Sequence, residues 1–151
     1  MKQATTDLAI KQLNECDHIL IYGAAGNARE AILYIDYLFP DKIIGCAITN
    51  ARGDEDDLFS FQVKDISQYK GIYILESICV IVAVRPSYFE EIDCNLRKAG
   101  FLNIFSYGDG NELSRLIQET AIKKKNFSNQ YEMNNWLIHR RIKIDMRNMI
   151  A

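Results

Sequence analysis

The chain has 151 residues, 48% of them hydrophobic and 25% charged, with a net charge of −2. That is enough for one domain with a proper core and too little for two of ordinary size, and the composition excludes a disordered chain as the leading expectation. Residues 1 to 114 carry 10 Lys and Arg against 17 Asp and Glu, whereas residues 115 to 151 carry 8 against 3. No nucleic-acid partner is expected of the acidic body, and the basic tail is expected to meet an acidic surface or another domain.

Residues 5 to 16 predict a first short helix with Leu8, Ile10 and Leu13 apolar. "HILIYG" from His18 is β-branched and apolar at nearly every position, the pattern of a strand buried on both faces at the centre of a parallel sheet. After "GAAG", the stripe Ala28, Ala31, Ile32, Ile35 and Leu38 has helical spacing, and Pro40 stops the helix near Leu38 or Phe39. "KIIGCAIT" (Lys42 to Thr49) supplies a second strand and "ARGDEDDLF" a polar loop. "FQVKDISQYKG" predicts a short extended piece and one helical turn begun by Asp65 and closed by Gly71. "CVIVAV" (Cys79 to Val84) is a further strand. In the helix that follows, Ser87 and Glu90 have capping-box spacing, Phe89, Ile92, Leu96 and Ala99 form the buried stripe, and Gly100 is the stop. "NIFSY" (Asn103 to Tyr107) is the last strand, and "GDGN" turns into a helix from about Asn111 to Lys124.

This alternation predicts an α/β fold: an open, doubly wound, mostly parallel, Rossmann-like sheet over residues 1–124, with a basic helical tail over 125–151. In the tail, Ile138, Ile142, Asp145 and Met149 form one face and Met133, Leu137, Arg140 and Ile144 another. Two apolar faces predict packing on something beyond the domain, either a partner domain or a second copy.

Cys16, Cys46, Cys79 and Cys94 include no CxxC pair, and no histidine stands at metal-ligand spacing, so reduced thiols are expected. The D-x-D spacing within Asp54 to Asp57 lies in a polar loop where charge runs face solvent, and no metal is expected. No signal peptide precedes residue 20 and no apolar stretch has bilayer length, so the expected compartment is the cytoplasm.

The glycine turn carries the chemistry. A dinucleotide fingerprint aligned from Gly23 offers Gly23, Ala25 and Ala28, with Gly26 following the altered middle position. The backbone N–H groups from Ala25 to Ala28 open a helix whose dipole favours an anion. The acid that would bind a ribose at the end of the second strand is replaced by Thr49 and Asn50, with Arg52 beyond. Arg85 follows the strand "CVIVAV" at its carboxyl end, where ligands lie in such sheets. No Tyr is followed four residues later by Lys, and neither GxSxG nor GxxxxGK[ST] occurs, so no catalytic residue is assigned. His18 and His139 are expected to be structural or exposed.

"ILIYGAAGNARE", "IIGCAIT", "VIVAV" and "NLRKAGFLNIFSY" resemble, in order and spacing over about residues 18 to 107, the small Rossmann-like domains of bacterial surface-polysaccharide enzymes. These are the amino-terminal domains of PglD/NeuD-type sugar O-acyltransferases, related nucleotide-sugar dehydratase domains and accessory domains of glycosyltransferases. The resemblance implies a nucleotide-sugar or NAD(P) as ligand, with phosphate contacts on Gly23, Ala25, Gly26 and Asn27 and base or ribose contacts on Thr49, Asn50, Val84 and Arg85. The family turn usually has Gly where Ala25 and Ala28 stand, and this chain lacks the hexapeptide-repeat domain that carries the acyltransferase histidine.

The expected function is a nucleotide- or nucleotide-sugar-binding module of polysaccharide synthesis. An NAD(P)-dependent sugar-nucleotide oxidoreductase or dehydratase fragment, and an interaction domain with a degenerate, empty turn, are the alternatives. The expected partners are the ligand, a partner domain or second copy reached through the tail, and a peripheral contact with the membrane surface.

Overall fold

The computed structural model describes residues 2–108 and 110–150. Helix α1 (Lys2–Glu15) leads into strand β1 (His18–Tyr22), helix α2 (Gly26–Leu38) and strand β2 (Ile43–Ile48). Strand β3 (Val63–Asp65) precedes strand β4 (Ile78–Val82), helix α3 (Phe89–Lys98), strand β5 (Asn103–Ser106) and helices α4 (Glu112–Lys125) and α5 (Gln130–Ile150). The five strands lie in the order β3-β2-β1-β4-β5, and every pairing is parallel. The chain is therefore an α/β protein with a doubly wound, Rossmann-like sheet and a C-terminal helix. The direction of winding reverses between β1 and β4, the topological switch point.

Alternation along the strands divides the core. Ile19, Ile21, Cys46, Cys79 and Ile81 face the side covered by α1, α2, α4 and α5. Leu20, Tyr22, Ala47, Ile78, Val80 and Val82 face the other side, with Leu96 of α3, Phe101 and Tyr69. Each of the aliphatic side chains in β1 and β4 is withdrawn from water, a gain of about 1.5–3 kcal/mol apiece before entropy is counted. Both faces being covered explains why "HILIY" and "ICVIV" read as continuous apolar runs.

Helix α2 is the innermost helix. Ala28, Ala31, Ile32 and Ile35 are fully buried, as their stripe predicts, but Tyr34 is equally buried and Asp36 nearly so. The second set meets α5: the Tyr34 hydroxyl donates to Asn134, and Asp36 accepts from Arg140 at 3.1 Å and Arg141 at 3.3 Å. Arg141 also binds Asp145 at 2.9 Å and the Ser60 hydroxyl at 2.8 Å, and its guanidinium lies over the Phe61 ring. A charge placed this deep has to be matched on several sides, and this one is. Met133 and Leu137 complete the inner face of α5, while Ile138, Ile142, Met146 and Met149 remain exposed. One of the two tail faces thus packs on this same domain.

Two local expectations take a different form. The Ser87–Glu90 capping box does not form, because Pro86 starts a 3-10 turn over Pro86–Tyr88 that already includes Ser87, and α3 begins without a side-chain cap. A similar arrangement stands at the start of α5, where Asn129 accepts from the Glu132 N–H at 3.0 Å and Glu132 reaches back to the Ser128 N–H at 3.2 Å. Leu8 of the first helix points outward, while Leu13 and Ile10 meet the core as expected and Ala9 joins them. Asp65 does cap the turn Ile66–Tyr69, and Gly100 ends α3 at φ +107 with the Phe101 N–H bound to the Leu96 carbonyl. Asp109 of the expected "GDGN" turn lies outside the described residues. Among those residues no helix is long and apolar enough to cross a membrane.

Removing the Asp36 carboxylate leaves Arg141 under-compensated in a buried setting. Asp36→Ala is expected to cost about 3 kcal/mol in urea unfolding, whereas removing the exposed Asp93 partner of Arg97 is expected to cost under about 1 kcal/mol.

Candidate functional site

Strand β1 ends at Tyr22, and the chain turns through Gly23 under tight constraint. Gly23 has φ +136, and a Cβ there would stand 2.7 Å from the Ala83 carbonyl oxygen and 3.4 Å from the Ala28 methyl. The Gly23 N–H donates to Ala47 at 2.9 Å, and the Ala83 N–H donates to Tyr22 at 2.9 Å. Three strand ends are thereby drawn together, and a side chain at residue 23 has nowhere to go.

Beyond this turn a cleft of about 440 Å³ opens, lined by Ala24, Ala25, Gly26, Asn27, Ala83, Val84, Arg85 and Tyr88. It sits outside the carboxyl ends of β1 and β4, where an open α/β sheet places its ligand. One wall is the first turn of α2. The N-cap residue is Ala25, which has an extended backbone and no side chain able to cap, and the first intrahelical bond to reach back is from the Arg29 N–H to the Ala25 carbonyl at 3.1 Å. The N–H groups of Gly26, Asn27 and Ala28 consequently have no helical acceptor. Helices α4 and α5 do carry side-chain caps: Asn111 accepts from the Ser114 N–H and Asn129 from the Glu132 N–H. Helix α2 forgoes a side-chain cap worth about 1 kcal/mol at the mouth of the cleft.

A Cβ on Gly26 would meet nothing within 4 Å. No protein atom demands glycine there, so the missing side chain leaves open space above the donors. Arg85 lines the same cleft and, among the described residues, forms no ion pair. Among the described residues no carboxylate lines the cleft. The helix dipole, the free N–H groups and the guanidinium all favour an anion.

Five of the expected site residues, Ala25, Gly26, Asn27, Val84 and Arg85, share this cleft. Gly23 lies beneath it and shapes it. Thr49 and Asn50 stand at the neighbouring end of β2 and do not line it: the Thr49 hydroxyl is bound to the Tyr22 hydroxyl at 2.5 Å, and Asn50 turns the chain at φ +60. Asp65 holds that turn, accepting from the Ala51 N–H at 3.0 Å and from Ser67, whose hydroxyl leads the hydrogen bonds that hold the Asp65 carboxyl below its usual range. Tyr88 is an addition, an exposed ring on the cleft wall three residues past Arg85; its place just after a strand end was the available signal.

A second, polar cavity of about 260 Å³ is lined by Glu30, Gly108, Asn111, Ser114, Arg115 and Gln118, among others. Tyr107 donates to Glu30 at 3.1 Å, Gln118 donates to both, and burial pushes the Tyr107 phenol well up. Asn27 joins the two regions, its carboxamide nitrogen lying 3.3 Å from where a Gly108 Cβ would stand. In the acidic loop, Glu55 accepts from the Arg52 and Gly53 N–H groups at 2.5 and 3.0 Å, so one of its carboxylates serves the loop itself.

The chain matches no protein-family model, no curated protein and no solved structure.

The two glycines are expected to separate in stability measurements. Gly23→Ala should lower stability by about 2 kcal/mol or more, since it combines a forbidden backbone angle with a carbonyl clash. Gly26→Ala should be neutral or stabilise by up to about 1 kcal/mol, as Ala is the better helix former and meets open space. Thermal unfolding of both variants checks this.

Proposed function

We propose that the chain is a binding module whose cleft takes the diphosphate of a nucleotide or nucleotide-sugar. The observation that carries this reading is the uncapped first turn of α2, opening beneath the vacant side of Gly26 and sharing the switch-point cleft with Arg85. A diphosphate would accept from the Gly26, Asn27 and Ala28 N–H groups and pair with Arg85, while Tyr88 offers a ring face to a base. The polar cavity beyond Asn27 presents carboxylate, amide and guanidinium groups of the kind that bind sugar hydroxyls, which favours a nucleotide-sugar over a bare nucleotide. The link to surface-polysaccharide synthesis rests on the resemblance of the strand and glycine-turn motifs.

A standard NAD grip has less support. Beside the β2 end, Asp65 of β3 is occupied by the loop it caps. The outer face of α5, with Ile138, Ile142, Met146 and Met149 beside His139, Lys143 and Arg147, is the surface through which the module would meet a partner domain, a second copy or an anionic membrane.

Titration calorimetry with UDP- and CDP-linked sugars, NADH and NADPH tests the ligand class. Heat of binding with a nucleotide-sugar is expected, with affinity reduced at least about tenfold by Arg85→Ala and lost in Gly26→Leu. Ala25→Asp should stabilise the fold by about 0.5–1 kcal/mol by capping α2, yet remove binding by placing a carboxylate at the phosphate position. Heat with NADH or NADPH alone would favour the oxidoreductase reading, and silence across the whole panel would leave the cleft empty and defeat the proposal.

A further inference from the structure

At the end of the sheet opposite the cleft, two cysteines distant in sequence stand side by side. Cys16 follows the last turn of α1, and Cys79 is the second residue of β4. Their sulfurs are directed at consecutive carbonyls of α1: Cys79 donates to Gln12 at 3.7 Å and Cys16 to Leu13 at 3.4 Å. Both line one small cavity of about 180 Å³ that opens between Gln12, Glu15, Glu76 and Asn103. Cys16 is half-buried and reachable from this opening, whereas Cys79 is buried beneath it. The Lys42 ammonium binds the Leu13 and Asn14 carbonyls at 3.0 and 2.5 Å, which brings a positive charge to the same corner.

The adjoining Gln12 and Leu13 carbonyls and the shared cavity bring the two thiols together. The neighbouring Cys79 thiol, helped by Lys42 and opposed by burial, lowers the Cys16 thiol below its ordinary range. Cys79 is driven the other way by its neighbour and by its burial. Cys16 is thus the more readily ionised sulfur of the two.

We propose that Cys16 and Cys79 are a peroxide-reactive thiol pair, with Cys16 as the attacking sulfur, Cys79 as the resolving sulfur, and a disulfide that ties α1 to β4 as the product. The Cys16 thiolate attacks one oxygen of the hydroperoxide; the S–O bond forms, the O–O bond breaks, and the departing hydroxide takes a proton to become water. The Cys79 sulfur then attacks the Cys16 sulfenic acid; the S–S bond forms, the S–O bond breaks, and the leaving hydroxide takes the Cys79 proton. Two thiols and one hydrogen peroxide give one disulfide and two waters, the pair being oxidised by two electrons and the peroxide reduced by two. The other cysteines lack this arrangement. Burial pushes Cys46 up to about 12, and Cys94 is exposed on α3 with no thiol beside it.

Limiting hydrogen peroxide added to the whole chain, followed by alkylation, digestion and peptide mass spectrometry, separates this from oxidation by exposure alone. The expected product is a Cys16–Cys79 linked peptide, formed about fivefold or more faster than any modification of Cys94, with a rate that rises with pH and levels off at lower pH than that of an ordinary thiol. In Cys79→Ser the Cys16 sulfenic acid should accumulate and be trapped by dimedone. In Cys16→Ser, with folding checked by circular dichroism, Cys79 should stay unmodified. Oxidation of Cys94 first, with Cys16 and Cys79 both recovered as free thiols, would overturn the assignment.

Discussion

The ends of β1 and β4 approach so closely that a Cβ at residue 23 would stand 2.7 Å from the Ala83 carbonyl oxygen. Much else follows from that contact. Because residue 23 can carry no side chain, the chain leaves β1 in a turn tight enough to start α2 directly over the strand ends. Because Ala83 bonds back to Tyr22, β4 lies beside β1 and the winding reverses there. A cleft between the two strand ends is the geometric consequence, and the first turn of α2 is its wall.

A site made of backbone N–H groups is only as well placed as the helix that carries it. Helix α2 is gripped on both sides. Its aliphatic stripe is buried against the sheet, while Glu30, Tyr34 and Asp36 reach outward to Gln118, Asn134 and Arg141 of α4 and α5. Trp136 of α5 adds edge contacts to Tyr37 and Phe127, at 5.1 and 6.3 Å between ring centres. The basic tail therefore has a structural task beyond any partner it meets: it forms an outer layer that fixes α2. The two ends of the sheet then differ in chemistry, with uncapped donors and a guanidinium at one end and a thiol pair beside an ammonium at the other.

The strands were legible because burial on both faces requires unbroken apolar, β-branched runs, and "HILIY" and "ICVIV" have little other use. The glycine turn and Arg85 were legible for a related reason: glycine and arginine at strand ends follow from the sheet's architecture. What could not be read were pairings between distant residues. Arg141 in a basic tail looks like a solvated cation until Asp36, on a helix far earlier in the chain, is brought beside it. Cys16 and Cys79 look like separate small hydrophobes until α1 folds over the start of β4. The Ser87–Glu90 spacing misled because Pro86 had already committed Ser87 to a 3-10 turn, an effect of the preceding residue that spacing alone ignores. Thr49 and Asn50 were placed correctly at a strand end, but Tyr22 engages one and the turn geometry employs the other.

The central claim is that the first turn of α2 holds phosphate through its backbone. Amide chemical shifts of the nitrogen-15-labelled chain, followed while UDP and then a UDP-sugar are added, test it most directly. The account predicts saturable shifts centred on the N–H groups of Gly26, Asn27 and Ala28 and on Arg85 with UDP, extending to Arg115 and Gln118 when the sugar is present. Saturable shifts confined to other parts of the surface, or none at all at millimolar ligand, would contradict it.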